Sequence, residues 1–105
     1  LLRGELGYRG VIVTDSLAMQ GVRDLYGDAE VAVRALDAGV DQLLMTPSMD
    51  DAYAAVLAAV RSGRISHADL DAKVRRVLEL KYRRGLVAQP YVDASKLNGV
   101  VGTPE

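Results

Sequence analysis

The sequence predicts an α/β fold with parallel strands, and three observations lead to that prediction. Residues 11–13 are β-branched without polar alternation, which is typical of a parallel strand buried on both faces. A second strand-like stretch at 40–45 follows a helix-forming stretch, so a helical crossover makes parallel pairing the default. Two parallel strands do not close a sheet. The order strand, helix, strand, helix therefore predicts the C-terminal portion of a (β/α)8 TIM-type barrel, a fold of about 250 residues.

The first half of the chain carries clear breaks between its elements. Residues 1–6 indicate the tail of a helix, and the glycines of the break at 7–10 tolerate positive φ. The first strand then ends at Thr14-Asp15-Ser16. After an irregular stretch, Asp28 is expected to cap a helix with apolar positions at helical spacing. Gly39 stands where the glycine after a helix end belongs.

Two serines predict the starts of the last two helices. Ser48 precedes Asp51 by three residues, which resembles a capping box before a helix that ends at Arg61. Ser66 and Asp69 repeat that spacing before a long amphipathic helix that Gly85 ends. Its expected inward stripe consists of Leu70, Val74, Val77, Leu78 and Tyr82, with Lys73, Arg75, Arg76 and Arg83 mostly off the stripe. A flavodoxin-like sheet is the structural alternative, but it needs more strands than this pattern contains.

Composition excludes several classes of function. Thirteen Lys and Arg against fourteen Asp and Glu give a net charge of -1, which argues against nucleic acid or anionic lipid as a partner. The chain has no cysteine and one histidine, so neither a thiolate nucleophile nor a zinc or other transition-metal site is expected, and no cofactor is predicted. No apolar run reaches the roughly 18 residues of a transmembrane segment.

Asp15 is the leading candidate for chemistry, because it directly follows the first predicted strand. A side chain at that position is held rigidly at the carboxyl end of the sheet, where barrel enzymes carry their sites. The alternative is that Asp15 or Ser16 caps a turn. The pattern alone favours the cap.

A resemblance changes that weighting. Residues 6–19, Leu-Gly-Tyr-Arg-Gly-Val-Ile-Val-Thr-Asp-Ser-Leu-Ala-Met, resemble the nucleophile segment of family 3 glycoside hydrolases, in particular the β-N-acetylhexosaminidase branch. Residues 35–45 are similar to the next helix and strand of that family, and the motifs within 60–86 to its closing helices. The similarity extends in the family's order over residues 1–87.

The resemblance implies that Asp15 is the catalytic nucleophile at the end of the seventh barrel strand of a retaining β-N-acetylglucosaminidase. It implies a carbohydrate substrate, a β-linked N-acetylglucosaminide derived from peptidoglycan, and an acid from a His-Asp pair upstream of this chain. His67 is expected to face solvent and not to be that acid. Residues 1–87 are then an incomplete barrel domain that packs on the remainder of the barrel or another chain. Residues 88–105 are a linker toward a second domain.

Several alternatives stay open. Asp24, Asp28 and Glu30 follow the nucleophile loop and are candidates to line a cleft, although Asp28 and Glu30 fit better as helix-opening residues. Asp50 and Asp51 also fit better as helix-opening acids than as a metal pair, and Met19 as a packing residue. The alternative function is a non-catalytic packing fragment or pseudo-enzyme, and the chain by itself is expected to be inactive. A phosphate-binding barrel is disfavoured, because the loop 46–51 has two acids and no glycine.

Two further points follow from the resemblance rather than from the residues. A β-N-acetylglucosaminide phosphorylase stays open as a less favoured alternative to a hydrolase, since the acceptor is selected partly by the acid/base loop outside this chain. The bacterial cell envelope or secretion is the favoured location, while cytoplasmic recycling enzymes share the motif.

Overall fold

A computed structural model of the chain describes residues 1–102, except for the side chain of Asn98. Its elements, in chain order, are β1 Val13–Ser16, α1 Gln20–Arg23, α2 Asp28–Asp37, β2 Gln42–Leu44, α3 Met49–Arg61, α4 His67–Arg83 and a 3-10 helix Ala94–Gly99. β1 and β2 are hydrogen-bonded in parallel, with Val13 opposite Gln42 and Ser16 opposite Leu44. The predicted β-loop-α-β unit with parallel strands is confirmed.

The first strand starts later in the chain than predicted, and one of its faces is exposed to solvent. It begins at Val13, two residues later than predicted, so Asp15 lies within β1 and does not follow it. Val13 and Asp15 are exposed, while Thr14 and Ser16 are partly buried. Leu44 of β2 is also 45% exposed. The prediction that both faces of the strand are buried is therefore wrong for this structure, because no element within residues 1–102 covers the face that carries these side chains.

The start of α2 differs from the prediction, whereas its end agrees. Gly27 occupies the N-cap position, so Asp28 is the first helical residue, and it forms an ion pair with Arg23 at 2.7 Å instead of capping the helix. Gly39 has a φ of 97°, and its N–H donates to the carbonyl of Leu36 at 3.0 Å. Glycine is the residue that tolerates this left-handed conformation, which turns the chain from α2 toward β2.

Both predicted serine N-caps are present. The Ser48 hydroxyl accepts from the backbone N–H of Asp51 at 3.2 Å, and the Ser66 hydroxyl accepts from that of Asp69 at 3.0 Å. Each bond satisfies one of the N–H groups that have no partner in the first turn of a helix. Helix α3 starts at Met49, immediately after its cap, and ends at Arg61 as predicted.

The core lies where α2 and α3 pack against each other. Its buried members are Val33, Leu36, Ala59, Val60 and Ile65. On the outer surface of the same pair, the guanidinium of Arg64 makes two 2.9 Å hydrogen bonds to Glu30 and one of 3.0 Å to Asp37. The bond to Arg64 is the largest factor that lowers the pKa of Glu30, and the charge of Arg34 acts in the same direction.

Helix α4 presents to the rest of the chain a face that the sequence did not predict. Lys73, expected off the apolar stripe, is 3% exposed, and its Nζ donates to the carbonyl of Leu36 at 2.9 Å. Val74, Leu78 and Tyr82 of the expected stripe are 48%, 56% and 75% exposed. The predicted inward stripe is therefore wrong for these three residues, whereas Leu70 packs against the core and Val77 is partly buried, as predicted. Lys73 reaches a carbonyl at the end of α2 and complements the negative potential there, so α4 docks through Lys73 as well as through the first part of its apolar stripe.

The two ends of the chain also differ from the prediction. Residues 1–6 form a hydrogen-bonded turn, in which the Glu5 N–H donates to the Leu1 carbonyl at 2.9 Å, and not a helix. Within the predicted linker 88–105, residues 94–99 form the 3-10 helix, and 103–105 lie outside the described residues. None of the helices found in residues 1–102 has the length and apolar character needed to cross a membrane.

Candidate active site

Asp15 lies at the carboxyl end of the strand pair, with its side chain exposed. It is the third of the four residues of β1. Its Oδ1 accepts from the N–H of Ser16 at 2.7 Å, and no basic side chain within residues 1–102 forms an ion pair with it. The hydroxyl of Ser16 accepts from the N–H of Ala18 at 3.2 Å, which turns the chain immediately after the strand. The carboxylate is thus fixed by backbone and open to a ligand.

The end of β2 holds Asp15 in position from the neighbouring strand. The N–H of Leu44 donates to the hydroxyl of Thr14 at 2.9 Å, and its carbonyl accepts from the N–H of Leu17 at 3.0 Å. These two bonds flank Asp15 along the chain. Leu17 is 7% exposed, so its side chain anchors the turn in the interior. A residue held between two such contacts is well placed for a reaction that depends on orientation.

Two residues that follow β2 at the carboxyl end of the strands, Met45 and Thr46, have unusual features that the sequence did not predict. Met45 has a φ of 50°, and within residues 1–102 it is the one non-glycine residue with a positive φ. The Oγ1 atom of Thr46 is buried and has no hydrogen-bond partner, a combination found at no other side-chain oxygen or nitrogen of the described chain. Neither feature has a sequence signal, because backbone conformation after a strand and the partner of a single hydroxyl depend on the assembled fold.

The other acidic candidates are occupied elsewhere. Asp24 accepts from the Gln20 side chain at 2.5 Å, and Asp28 and Glu30 pair with arginines. Asp50 and Asp51 lie in the first turn of α3, as expected for helix-opening acids. Within residues 1–102, no group of three His, Cys, Asp or Glu side chains is arranged to hold a metal ion.

His67 and Met19 complete the set of candidates. His67 is exposed as the first residue of α4, beyond the far end of α3. A helix of 13 residues is roughly 20 Å long, so His67 does not reach Asp15. Met19 is 51% exposed, which does not fit the packing role expected for it. Asp15 therefore stands without an acid partner in the described part of the chain.

A second carboxylate, Asp41, lies at the opposite end of the strands. Its side chain has no exposed surface, and it accepts from the N–H of Ile12 and from Nε of Arg76, each at 2.8 Å, and from Nη2 of Arg3. Burial by itself would raise the pKa of Asp41, but the hydrogen bonds from Arg76 and Ile12 and the charges of both arginines outweigh it and lower that pKa. We call Arg3, Asp41 and Arg76 the amino-end network.

Arg3 connects this network to the backbone. Its guanidinium donates to the carbonyls of Tyr8 at 2.9 Å, Gly10 at 2.7 Å and Gly39 at 3.2 Å. The turn at the start of the chain, the approach to β1 and the end of α2 are therefore joined through one side chain. The sequence analysis did not single out Arg3 or Asp41. The position of Asp41 between the end of an apolar helix and a strand could have indicated a buried ion pair, since a buried carboxylate requires hydrogen-bond or charged partners.

Comparison with known proteins gives the family context of this geometry. Residues 1–80 match the family described as glycosyl hydrolase family 3 N terminal domain. A β-N-acetylglucosaminidase/β-glucosidase of Cellulomonas fimi is 33% identical over 105 residues, which are all of this chain and 19% of that protein. A periplasmic β-glucosidase/β-xylosidase of Dickeya chrysanthemi is 34% identical over 124 residues, which cover 97% of this chain and 18% of that protein.

A solved structure is similar in both sequence and fold. The family 3 β-N-acetylglucosaminidase from Paenibacillus sp. str. FPU-7 superimposes with a TM-score of 0.79 and 48% sequence identity, over 87% of this chain and 18% of that one. The chain thus spans about a fifth of the length of the relatives that it matches.

Proposed function

This chain belongs to glycosyl hydrolase family 3, and on that premise we propose that it carries the nucleophile, Asp15, of a retaining β-N-acetylglucosaminidase. The observation that supports the role of Asp15 is its exposed carboxylate, fixed by backbone contacts at the carboxyl end of two parallel strands. The preference for an N-acetylglucosaminide is supported by the 48% identity to the Paenibacillus β-N-acetylglucosaminidase. Because other relatives are named as β-glucosidases, a β-glucoside is the substrate with which activity on the N-acetylglucosaminide should be compared.

The proposed reaction has two steps at the anomeric carbon. A carboxylate oxygen of Asp15 forms a bond to that carbon while the glycosidic C–O bond breaks, and the leaving oxygen takes a proton from an acid outside residues 1–102. The negative charge of Asp15 stabilises the oxocarbenium-like transition state. Water, losing its proton to the same acid–base group, then displaces Asp15. Two displacements at one carbon retain its configuration.

We propose that residues 1–87 are the C-terminal portion of a (β/α)8 barrel domain and that 88–105 lead toward a second domain. The radius of gyration of 17.4 Å supports this, because a compact domain of about 100 residues has roughly 13 Å. The exposed side chains of Val13 and Leu44 support it as well, since the strands of a complete barrel are covered on both faces. The remainder of the barrel is thus the proposed partner of this surface and of the exposed stripe of α4.

A trapping experiment tests the role of Asp15 directly. The complete protein that carries this chain is incubated with a β-N-acetylglucosaminide whose leaving group departs without acid assistance, so that the glycosyl-enzyme accumulates. We expect mass spectrometry of proteolytic peptides to find the sugar on the peptide that contains Asp15. The Asp15→Asn variant is the matched control and should carry no sugar. Modification of a different carboxylate would refute the assignment.

The chain alone provides a second test. Because the general acid lies outside residues 1–102, we expect the 105-residue chain by itself to release no sugar from a β-N-acetylglucosaminide whose leaving group is another sugar and therefore needs acid assistance. Release that is lost on Asp15→Asn would show that the acid lies within the chain after all. In the complete protein, added inorganic phosphate distinguishes the outcomes, since a phosphorylase would yield the sugar phosphate and a hydrolase the free sugar.

A further inference from the structure

Two irregularities fall on consecutive residues at the carboxyl end of β2. Met45 holds a left-handed backbone conformation, which is unfavourable for a residue with a side chain. The buried hydroxyl of Thr46 lacks a hydrogen-bond partner, which is also unfavourable. Within residues 1–102 neither irregularity occurs at any other position. Strained backbone and unpaired buried polar groups are features that proteins retain at functional sites.

Met45 and Thr46, which we call the β2 corner, follow a residue that contacts the neighbours of the proposed nucleophile. This residue, Leu44, is hydrogen-bonded to Thr14 on one side of Asp15 and to Leu17 on the other. Met45 is 65% exposed, whereas the Thr46 hydroxyl is shielded. Met45 joins Thr46 to Leu44, so its backbone conformation determines which way Thr46 faces.

We propose that Thr46 is a substrate-binding residue, whose hydroxyl hydrogen-bonds a hydroxyl or acetamido group of the bound sugar when Met45 leaves its left-handed conformation. The inference rests on the proposed function, which supplies the sugar. A hydroxyl both donates and accepts, so it suits a polyhydroxylated ligand. Movement of Met45 relieves the backbone strain, and the sugar satisfies the unpaired oxygen. Both unfavourable features of the free site are therefore removed when substrate binds.

A matched pair of substitutions tests this proposal. Thr46→Val has the same shape but no hydroxyl, whereas Thr46→Ser keeps the hydroxyl and loses a methyl group. Both are made in the complete protein with Asp15→Asn, so that substrate binds without turnover, and affinity for a β-N-acetylglucosaminide is measured by calorimetry. We expect Thr46→Val to weaken binding about five-fold, the effect of one neutral hydrogen bond. Thr46→Ser should stay within about two-fold of the parent.

Thermal unfolding separates a binding role from a structural one. Removal of an unpaired buried hydroxyl should leave the melting temperature of Thr46→Val unchanged or raised, although its affinity falls. Equal affinity of the Val and Ser variants, or weaker binding that follows a lower melting temperature, would overturn the proposal. The proposed function is judged separately by turnover. If Asp15→Asn retains turnover, that function fails, and the Val and Ser variants are then compared by their affinity for N-acetylglucosamine, whose binding does not depend on turnover.

Discussion

Asp41 and Asp15 lie at opposite ends of the same two strands and have opposite surroundings. Asp41 has no exposed surface and accepts hydrogen bonds from Arg3, Arg76 and a backbone N–H. Asp15 is exposed and is held by one backbone N–H. In parallel-stranded enzymes the amino ends of the strands serve stability and the carboxyl ends serve chemistry. An aspartate thus stabilises the fold at one end of the strands and is a candidate catalytic residue at the other. The two roles differ because Asp41 is buried and paired with arginines, whereas Asp15 is exposed and unpaired within residues 1–102.

Asp15→Asn in the complete protein should produce the largest effect on activity and almost none on stability. The amide is a poor nucleophile, so we expect kcat/KM to fall roughly 10⁴-fold or more. Stability should be unchanged, because the replaced carboxylate is exposed and forms no ion pair within residues 1–102. Steady-state assays and thermal melts of the same preparation measure both. A matching drop in melting temperature would mean that the carboxyl end, too, is structural.

Asp41→Asn should have the converse effect in the 105-residue chain. The amide keeps one acceptor oxygen but loses the second and the negative charge that the two arginines share, and we expect a loss of about 3 kcal/mol in unfolding free energy. Asp37→Asn is the matched control, because its partner Arg64 lies at the surface, where an ion pair contributes less than about 1 kcal/mol. Circular dichroism in denaturant measures both variants. Equal losses would contradict the distinction between the buried and the exposed acid.

Substitution of two glycines tests whether Arg3 is held in place at the amino end of the strands. Gly39 and Gly85 both have positive φ after a helix, so alanine at either position costs about 1 kcal/mol in backbone strain. At Gly39 a Cβ would lie 2.8 Å from Cγ of Arg3, whereas nothing lies within 4 Å at Gly85. We expect Gly39→Ala to destabilise the chain by about 1 kcal/mol more than Gly85→Ala. Indistinguishable melting curves would indicate that Arg3 is not held at this position.

The pH dependence of stability gives the smallest and most specific signal. Since the pKa of Asp41 is lowered in the folded chain, its contribution is complete above the unfolded carboxyl pKa of about 3.9 and is lost as pH falls through the lower folded value. The stability difference between the parent and Asp41→Asn should therefore narrow below about pH 4. Glu30, whose pKa is also lowered, is present in both proteins and cancels. A constant difference would contradict the ionic role of Asp41.

Local signals in the sequence were sufficient for the bounds of α3 and α4 and for the end of α2. Ser48, Ser66 and Gly39 act within one helical turn, so their caps were predictable without knowledge of the fold. The burial of Lys73 was not predictable, because its partner is a carbonyl on another helix, 37 residues away. For the same reason Val74, Leu78 and Tyr82 of the predicted stripe were expected to be buried but are exposed in this structure.

The candidate site also contains residues that the sequence predicted and residues that it did not. Asp15 was found from its strand and from the family resemblance, and its location at the carboxyl end agrees with that expectation. Its role as nucleophile remains a prediction. Met45 and Thr46 were missed, because left-handed backbone and an unpaired hydroxyl arise only when the loop after β2 is folded against its surroundings.

The contacts of Arg3 have a consequence for the order of folding. The bond from Arg3 to Asp41 closes a loop of 38 residues, whereas the packed helices α2 and α3 are separated only by a short strand and its turns. Closing a longer loop loses more chain entropy, and local contacts form sooner. We therefore expect the α2–α3 pair to form first and the initial turn to dock last. Native-state hydrogen exchange would then find the Ile12 amide, which is bonded to Asp41, less protected than that of Val60 in α3.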